Sequence, residues 1–200
     1  MKKKLLILSL LISYSIFGQT SRFIKNTNTE KKLSIGITGG NYTQIIELNG
    51  NHLTNEISYI SGVRVGYMIS KASFIKIGYD RITTVSFSEL SYDSYKIPFL
   101  LGIYVFNGKK HNSKLSFESE IGYYFRGLID FRNLTNFGYE RNTTWGMQIA
   151  VNFKYDMSSK LYGTLSLANG RDFDNILQSQ NNKIKINGFS AFRLGFGFKF

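Results

Sequence analysis

Cysteine is missing from all 200 residues. Its absence excludes a disulfide framework, a thiol nucleophile and lipid attachment through sulfur. Proline occurs once, as Pro98, and histidine twice, as His52 and His111. With so little histidine there is no HExxH pair, and no Gly-rich phosphate loop precedes a helical pattern. Beyond the first twenty residues, no apolar run approaches the roughly 20 residues that a membrane helix needs. Acidic charge is in short supply too: 13 Asp and Glu stand against 25 Lys and Arg, a formal net charge of +12.

What remains is a chain rich in aromatics and glycine, with 17 Phe, 13 Tyr and 19 Gly. Aromatics favour strands, and Ala and Leu are modest, so β structure is expected throughout. The start, "MKKKLLILSLLISYSIFGQT", is read apart from the fold. Lys2 to Lys4 form a positive region, Leu5 to Ile12 a short apolar run, and small Gly18 follows, the layout of a cleaved secretory signal over residues 1–19. Removing its three lysines lowers the net charge to +9. An exported chain with dispersed positive charge is not expected to bind nucleic acid. Residues 20–31, "TSRFIKNTNTEK" with its flanks, read as a flexible lead-in to a domain spanning 32–200.

In that domain the apolar period is two, repeated about eight times. "LSIGITGG" sets Leu33, Ile35 and Ile37 against Ser34, Gly36 and Thr38. "GVRVGYMI", "FIKIGYD", "YKIPFLLGIYV", "LSFESEIGYYFR", "TWGMQIAVNFKY", "LYGTLSLA" and the terminal "AFRLGFGFKF" repeat the pattern. The connections alternate in length. "SKA", "NGKKHNS" and "DMSS" are short, whereas "NYTQIIELNGNHLTNEISY", "RITTVSFSELSYDS", "GLIDFRNLTNFGYERNT" and "NGRDFDNILQSQNNKIK" are long. Short turns on one side and long loops on the other describe an up-and-down barrel of the outer-membrane kind.

The two faces differ in a way that orients them. One carries Phe, Tyr, Trp, Ile, Leu and Val with almost no charge, and aromatics such as Tyr67, Phe74, Tyr79, Tyr95, Phe125, Trp145, Tyr155 and Phe198 gather near strand ends. That face suits lipid and its interfacial belts. The other mixes small polar residues and glycine with Arg64, Lys76, Asp80, Glu118, Glu120, Arg126, Lys154 and Arg193. These eight are the candidate charge network of a narrow lumen, with Lys96 and Lys199 tilting it positive. The fold class expected is all-β: a closed antiparallel transmembrane barrel of about eight strands.

At this level the chain resembles the small outer-membrane barrels of the porin-family type common in Bacteroidetes. "IGITGGNY", "GVRVGYMIS", "YKIPFLLGIY", "ESEIGYYFRG" and "RLGFGFKF" carry the resemblance over residues 33–200. A secondary likeness is to PorT-like barrels tied to a secretion system, though no motif singles it out. The resemblance implies residence in the outer membrane among lipid and lipopolysaccharide. It also implies a C-terminal signal, Phe196, Phe198 and Phe200, read by the barrel-assembly machinery.

His52 lies in the first long loop and His111 in a turn at the opposite end, so the two are not expected to share a metal or form a catalytic pair. Only His52 stands at the outer rim, where a barrel hydrolase would need a base. Glu118 and Glu120 are two apart on the polar face, a spacing of roughly 7 Å that suits either an acid–base pair or an ion-paired lumen. No enzyme activity, cofactor or metal is expected. The loops interleave Asn, Thr and Ser with Tyr42, Tyr92, Phe131, Phe137, Tyr139 and Phe173. Such loops suit an extracellular protein or glycan ligand. Their basic residues, Arg81, Arg132, Arg141, Arg171, Lys183 and Lys185, suit lipid phosphates. The function expected is structural or surface-binding through these loops. A narrow, weakly anion-favouring pore and a secreted soluble ligand-binding barrel are the alternatives.

Overall fold

Strict alternation gives each strand one apolar and one polar face, and a sheet of such strands must separate two media. The computed structural model describes residues 32–84, 91–107, 113–132, 140–141, 143–178 and 183–200. The expected signal, the lead-in and His111 lie outside the described residues.

Ten strands follow in order: β1 (Leu33–Leu48), β2 (Asn51–Met68), β3 (Ser73–Thr84), β4 (Ser91–Phe106), β5 (Leu115–Arg132), β6 (Glu140–Arg141), β7 (Thr144–Asp156), β8 (Leu161–Asp172), β9 (Leu177–Gln178) and β10 (Lys183–Lys199). The eight long ones pair antiparallel with their sequence neighbours, and β10 returns to pair with β1 from Ser34↔Lys199 to Leu48↔Ile184. The result is a closed eight-stranded antiparallel barrel with no free edge among these strands. The two-residue strands β6 and β9 pair with each other, and β9 also pairs with the start of β10.

Two described turns at the end that holds Leu33 and Phe200 are built alike. Ser70 Oγ accepts from the amides of Ala72 and Ser73 at 3.1 and 3.0 Å. Ser158 Oγ does the same for Lys160 and Leu161 at 3.2 and 3.0 Å. A serine at the head of the turn satisfies amides that the ladder has left behind. Closure runs to the last residue, where the Phe200 amide donates to the Leu33 carbonyl at 2.8 Å.

The opposite end departs from the expectation. The first long connection is not a loop: β1 and β2 continue through it and meet at Asn49–Gly50, whose φ angles are 53° and 84°. Both angles are positive, as a two-residue type I′ hairpin requires, and Asn-Gly is its preferred sequence. Likewise β3 runs to Thr84, β4 starts at Ser91, β5 reaches Arg132 and β10 starts at Lys183. His52, Arg81, Arg132, Arg141, Arg171, Lys183 and Lys185 therefore stand on strands. The reason is visible in the sequence: "NYTQIIEL" keeps the period of two, with Asn41, Thr43 and Ile45 outside and Tyr42, Gln44 and Ile46 inside.

That inversion is the main feature of the fold. In the lower part of the wall the apolar side chains face out, among them Ile37, Leu194 and Phe196 at 62, 58 and 56 % exposure. An apolar surface this extensive is a lipid-facing one. Its upper border is an aromatic chain, Tyr79–Tyr95–Phe125–Trp145, with ring centroids 6.3, 6.2 and 5.3 Å apart. Above it the outward positions become mostly polar, with Asn41, Thr43, Ser61, Arg81, Thr83, Asn169, Arg171 and Ser190, interrupted by Ile45, Ile57, Tyr59, Ile129 and Phe173. The inward positions above it gain Tyr42, Ile46, Ile60, Ile82, Tyr92, Ile184, Ile186 and Phe189, all buried, beside the buried polar Gln44, Ser58, Thr84 and Ser94. From this border to the Asn49–Gly50 tip the β1–β2 hairpin rises about 20 Å along the barrel axis, given a strand rise of about 3.3 Å and a tilt of about 40°.

Candidate functional site: the barrel lumen

The inner face is built from parity. Residues two apart on every strand share it, so the lumen fills from the end that holds Leu33 and Phe200 to the hairpin end in successive levels. Inward-facing glycines make room for rings. Phe74, Tyr124, Tyr162 and Phe189 each stand directly across the ladder from a glycine: Gly102, Gly146, Gly197 and Gly170 respectively. A Cβ at Gly146 would stand 2.2 Å from the Tyr124 ring, so this wall position must be bare. Phe74, expected at the lipid interface, is corrected by the same geometry. It points inward at 3 % exposure and lies under the Lys76 ammonium, 4.5 Å from its ring centroid.

At the lowest level Lys199 pairs with Asp156, and Lys154 lies 4.2 Å from the Tyr162 ring centroid. Above them, Lys76 Nζ bridges Glu118 Oε2 at 2.8 Å and Glu120 Oε1 at 2.5 Å, while Lys154 reaches Glu118 at 3.3 Å. The two glutamates are thus tied to one ammonium and do not form an open acid–base pair.

The middle level has one carboxylate for three cations. Arg64 lies 2.6 Å from Asp80, Arg193 3.5 Å and Lys96 3.8 Å, with Asp80 and Lys96 fully buried. Beside them is a cavity of about 50 Å³ whose lining includes Arg64, Lys76, Glu120, Asn152, Arg193 and Tyr162.

Higher still, Lys96 and Arg126 face each other across β4 and β5. Like charges placed so would repel, and each is separately compensated. Lys96 donates to Gln148 Oε1 at 2.9 Å and lies 4.1 Å from the Phe189 ring centroid and 4.9 Å from that of Tyr124. Arg126 donates to Asp172 Oδ2 at 3.3 Å and to the Tyr42 hydroxyl, and the Tyr124 hydroxyl donates to Asp172. Tyr42 stacks on Phe189 with centroids 5.0 Å apart. Residues of one apolar cluster here, Tyr42, Ile60, Ile82, Tyr124, Ala150, Ala168 and Phe189, come from seven of the eight long strands, and Lys96 supplies the eighth. Side chains therefore cross the lumen from wall to wall. A second apolar cluster, Ile46, Tyr92, Ile176, Ile184 and Ile186, caps it.

All eight residues of the expected network face inward: Lys76, Glu118, Glu120 and Lys154 in the lower levels, Arg64, Asp80 and Arg193 in the middle one and Arg126 in the upper one. Its partners escaped the sequence reading. Asp172 falls in a stretch whose sequence reads as a loop, and Tyr42 and Tyr92 in expected recognition loops, yet all three are buried. Continuing the parity of β8 by two residues past Gly170 would have found Asp172. Tyr42 needed the strand extension described above. Phe173 is exposed, and the side chains of His52, Phe131, Phe137 and Tyr139 lie outside the described residues. Among the described residues no group of three His, Cys, Asp or Glu could hold a metal ion.

No protein-family model matches the chain, and no curated protein matches it in sequence. Solved structures do. Neisserial surface protein A aligns with a TM-score of 0.61 at 11 % identity, covering 84 % of this chain and 97 % of that one. The outer membrane protein OprG from Pseudomonas aeruginosa gives 0.56 at 15 %, covering 88 % and 99 %. The N-terminal β-barrel domain of Pseudomonas aeruginosa OprF gives 0.53 at 13 %, covering 84 % and 97 %. The chain shares the fold of small bacterial outer-membrane barrels.

Proposed function

We propose that this chain is a sealed outer-membrane barrel with a non-catalytic role, structural or surface-binding, exerted by the collar that rises above the lipid. The observation that carries this reading is the wall-to-wall packing of Tyr42, Tyr124 and Phe189 with Lys96 and Arg126, drawn together with their cluster from every long strand. A lumen so filled offers solutes no passage, which leaves the outer surface as the working part. On that surface Asn41, Thr43, Arg81, Thr83, Asn169 and Arg171 are exposed hydrogen-bonding groups on a rigid scaffold. Groups of this kind suit a protein or glycan ligand, and the two arginines suit lipopolysaccharide phosphates at the lipid border.

In this reading residues 1–19 direct export and are cleaved. Phe196, Phe198 and Phe200, which line one outward face of β10 to the chain end, serve the assembly machinery as well as lipid contact. The sequence resemblance to the Bacteroidetes porin-family type supports the same setting. Planar-bilayer recording of the folded chain tests the proposal. A silent membrane is expected, and steady single-channel steps from the unmodified protein would overturn it.

A further inference from the structure

The middle level of the lumen is short of negative charge. Among the described lumen residues, Arg64, Lys76, Lys96, Arg126, Lys154, Arg193 and Lys199 face only Asp80, Glu118, Glu120, Asp156 and Asp172. The excess of two falls where three cations share Asp80. Arg193 is 4 % exposed, and its Nε and one terminal nitrogen have no hydrogen-bond partner. Asn152 Nδ2 and Thr38 Oγ1, also buried and without partners, line the same 50 Å³ cavity. The cavity's one carboxylate, Glu120, is already held by Lys76 at 2.5 Å.

We propose that this cavity binds one small inorganic anion of the chloride class, held by Arg193 with Asn152 and Thr38. Water could satisfy the idle donors but would leave the excess charge buried, which is the more expensive condition. An anion answers both. The volume suits a monatomic ion with a water or two. The ion reaches the cavity from the end that holds Leu33 and Phe200, where Arg64 and Lys76 keep 11 and 17 % of their side-chain exposure. The aromatic level closes the other side.

The test uses the folded full chain in detergent. Crystals grown in bromide should show an anomalous peak within hydrogen-bonding reach of Arg193. Chloride, titrated against gluconate at constant ionic strength, should raise the unfolding temperature saturably. Arg193→Gln should move the midpoint of that titration upward by about tenfold or more, the worth of a charge-assisted hydrogen bond. Should that variant fail to fold, Asn152→Asp, which puts a carboxylate in the cavity, should abolish the saturable rise. A bromide-free cavity, or a response equal for chloride and gluconate, would overturn the proposal.

Discussion

Replacing Arg126 by Met removes the cation at the centre of the upper lumen and leaves its partner stranded. Arg126 and Asp172 are both fully buried and 3.3 Å apart, so no solvent can take the place of the lost guanidinium. After the change Asp172 would keep only the Tyr124 hydroxyl, and the Tyr42 hydroxyl would lose its donor. Breaking a buried pair by removing one partner costs about 3–5 kcal/mol. The double variant Arg126→Met/Asp172→Leu removes both charges together, and apolar replacements of a buried pair are often close to neutral. Its loss should therefore fall short of the summed single losses by about 1–3 kcal/mol. Trp145, the only tryptophan, stands in the aromatic belt and reports unfolding by fluorescence as urea is titrated against the protein in micelles. A single-variant loss under about 1 kcal/mol, or strict additivity in the cycle, would refute the view that this pair organises the upper lumen.

Other expectations follow from the same geometry. Phe189→Ala combined with Tyr124→Ala should open measurable conductance in planar bilayers where the unmodified chain is silent. Gly146→Ala should destabilise by about 1–3 kcal/mol through overpacking, and adding Tyr124→Ala should relieve part of that loss in the same urea titration. Ile149→Arg, on the outward face within the apolar band, should cost about 2–4 kcal/mol in a lipid bilayer. Thr43→Lys, outward but above the band, should stay within about 0.5 kcal/mol, and equal losses at both sites would misplace the membrane. Gly50→Ala, at φ 84°, should cost about 1 kcal/mol by urea unfolding, because a Cβ is strained in that conformation.

The class of fold and the facing of the lipid-level wall are legible in the residues alone. A side-chain period of two, in segments parted by alternately short and long connections, admits few topologies, and nearly charge-free apolar faces admit one medium. Lys76, Glu118, Asp80 and Arg193 could be set on the polar face from parity alone, since a strand has only two faces. Tertiary structure decided what parity cannot carry. Which acid meets which base depends on strand tilt and register, and so Lys76 holds both glutamates while Asp80 is left to three cations. Tyr42 and Tyr92 fall in stretches that read as loops because the pattern largely reverses there, aromatic residues turning in and most polar ones out. Asp172 continues the lumen parity of its strand past the point where the apolar signal ends. The same alternation serves opposite media at the two heights of the barrel. Only the closed wall shows where one gives way to the other, because a residue's outside is defined by the strands that curve round behind it.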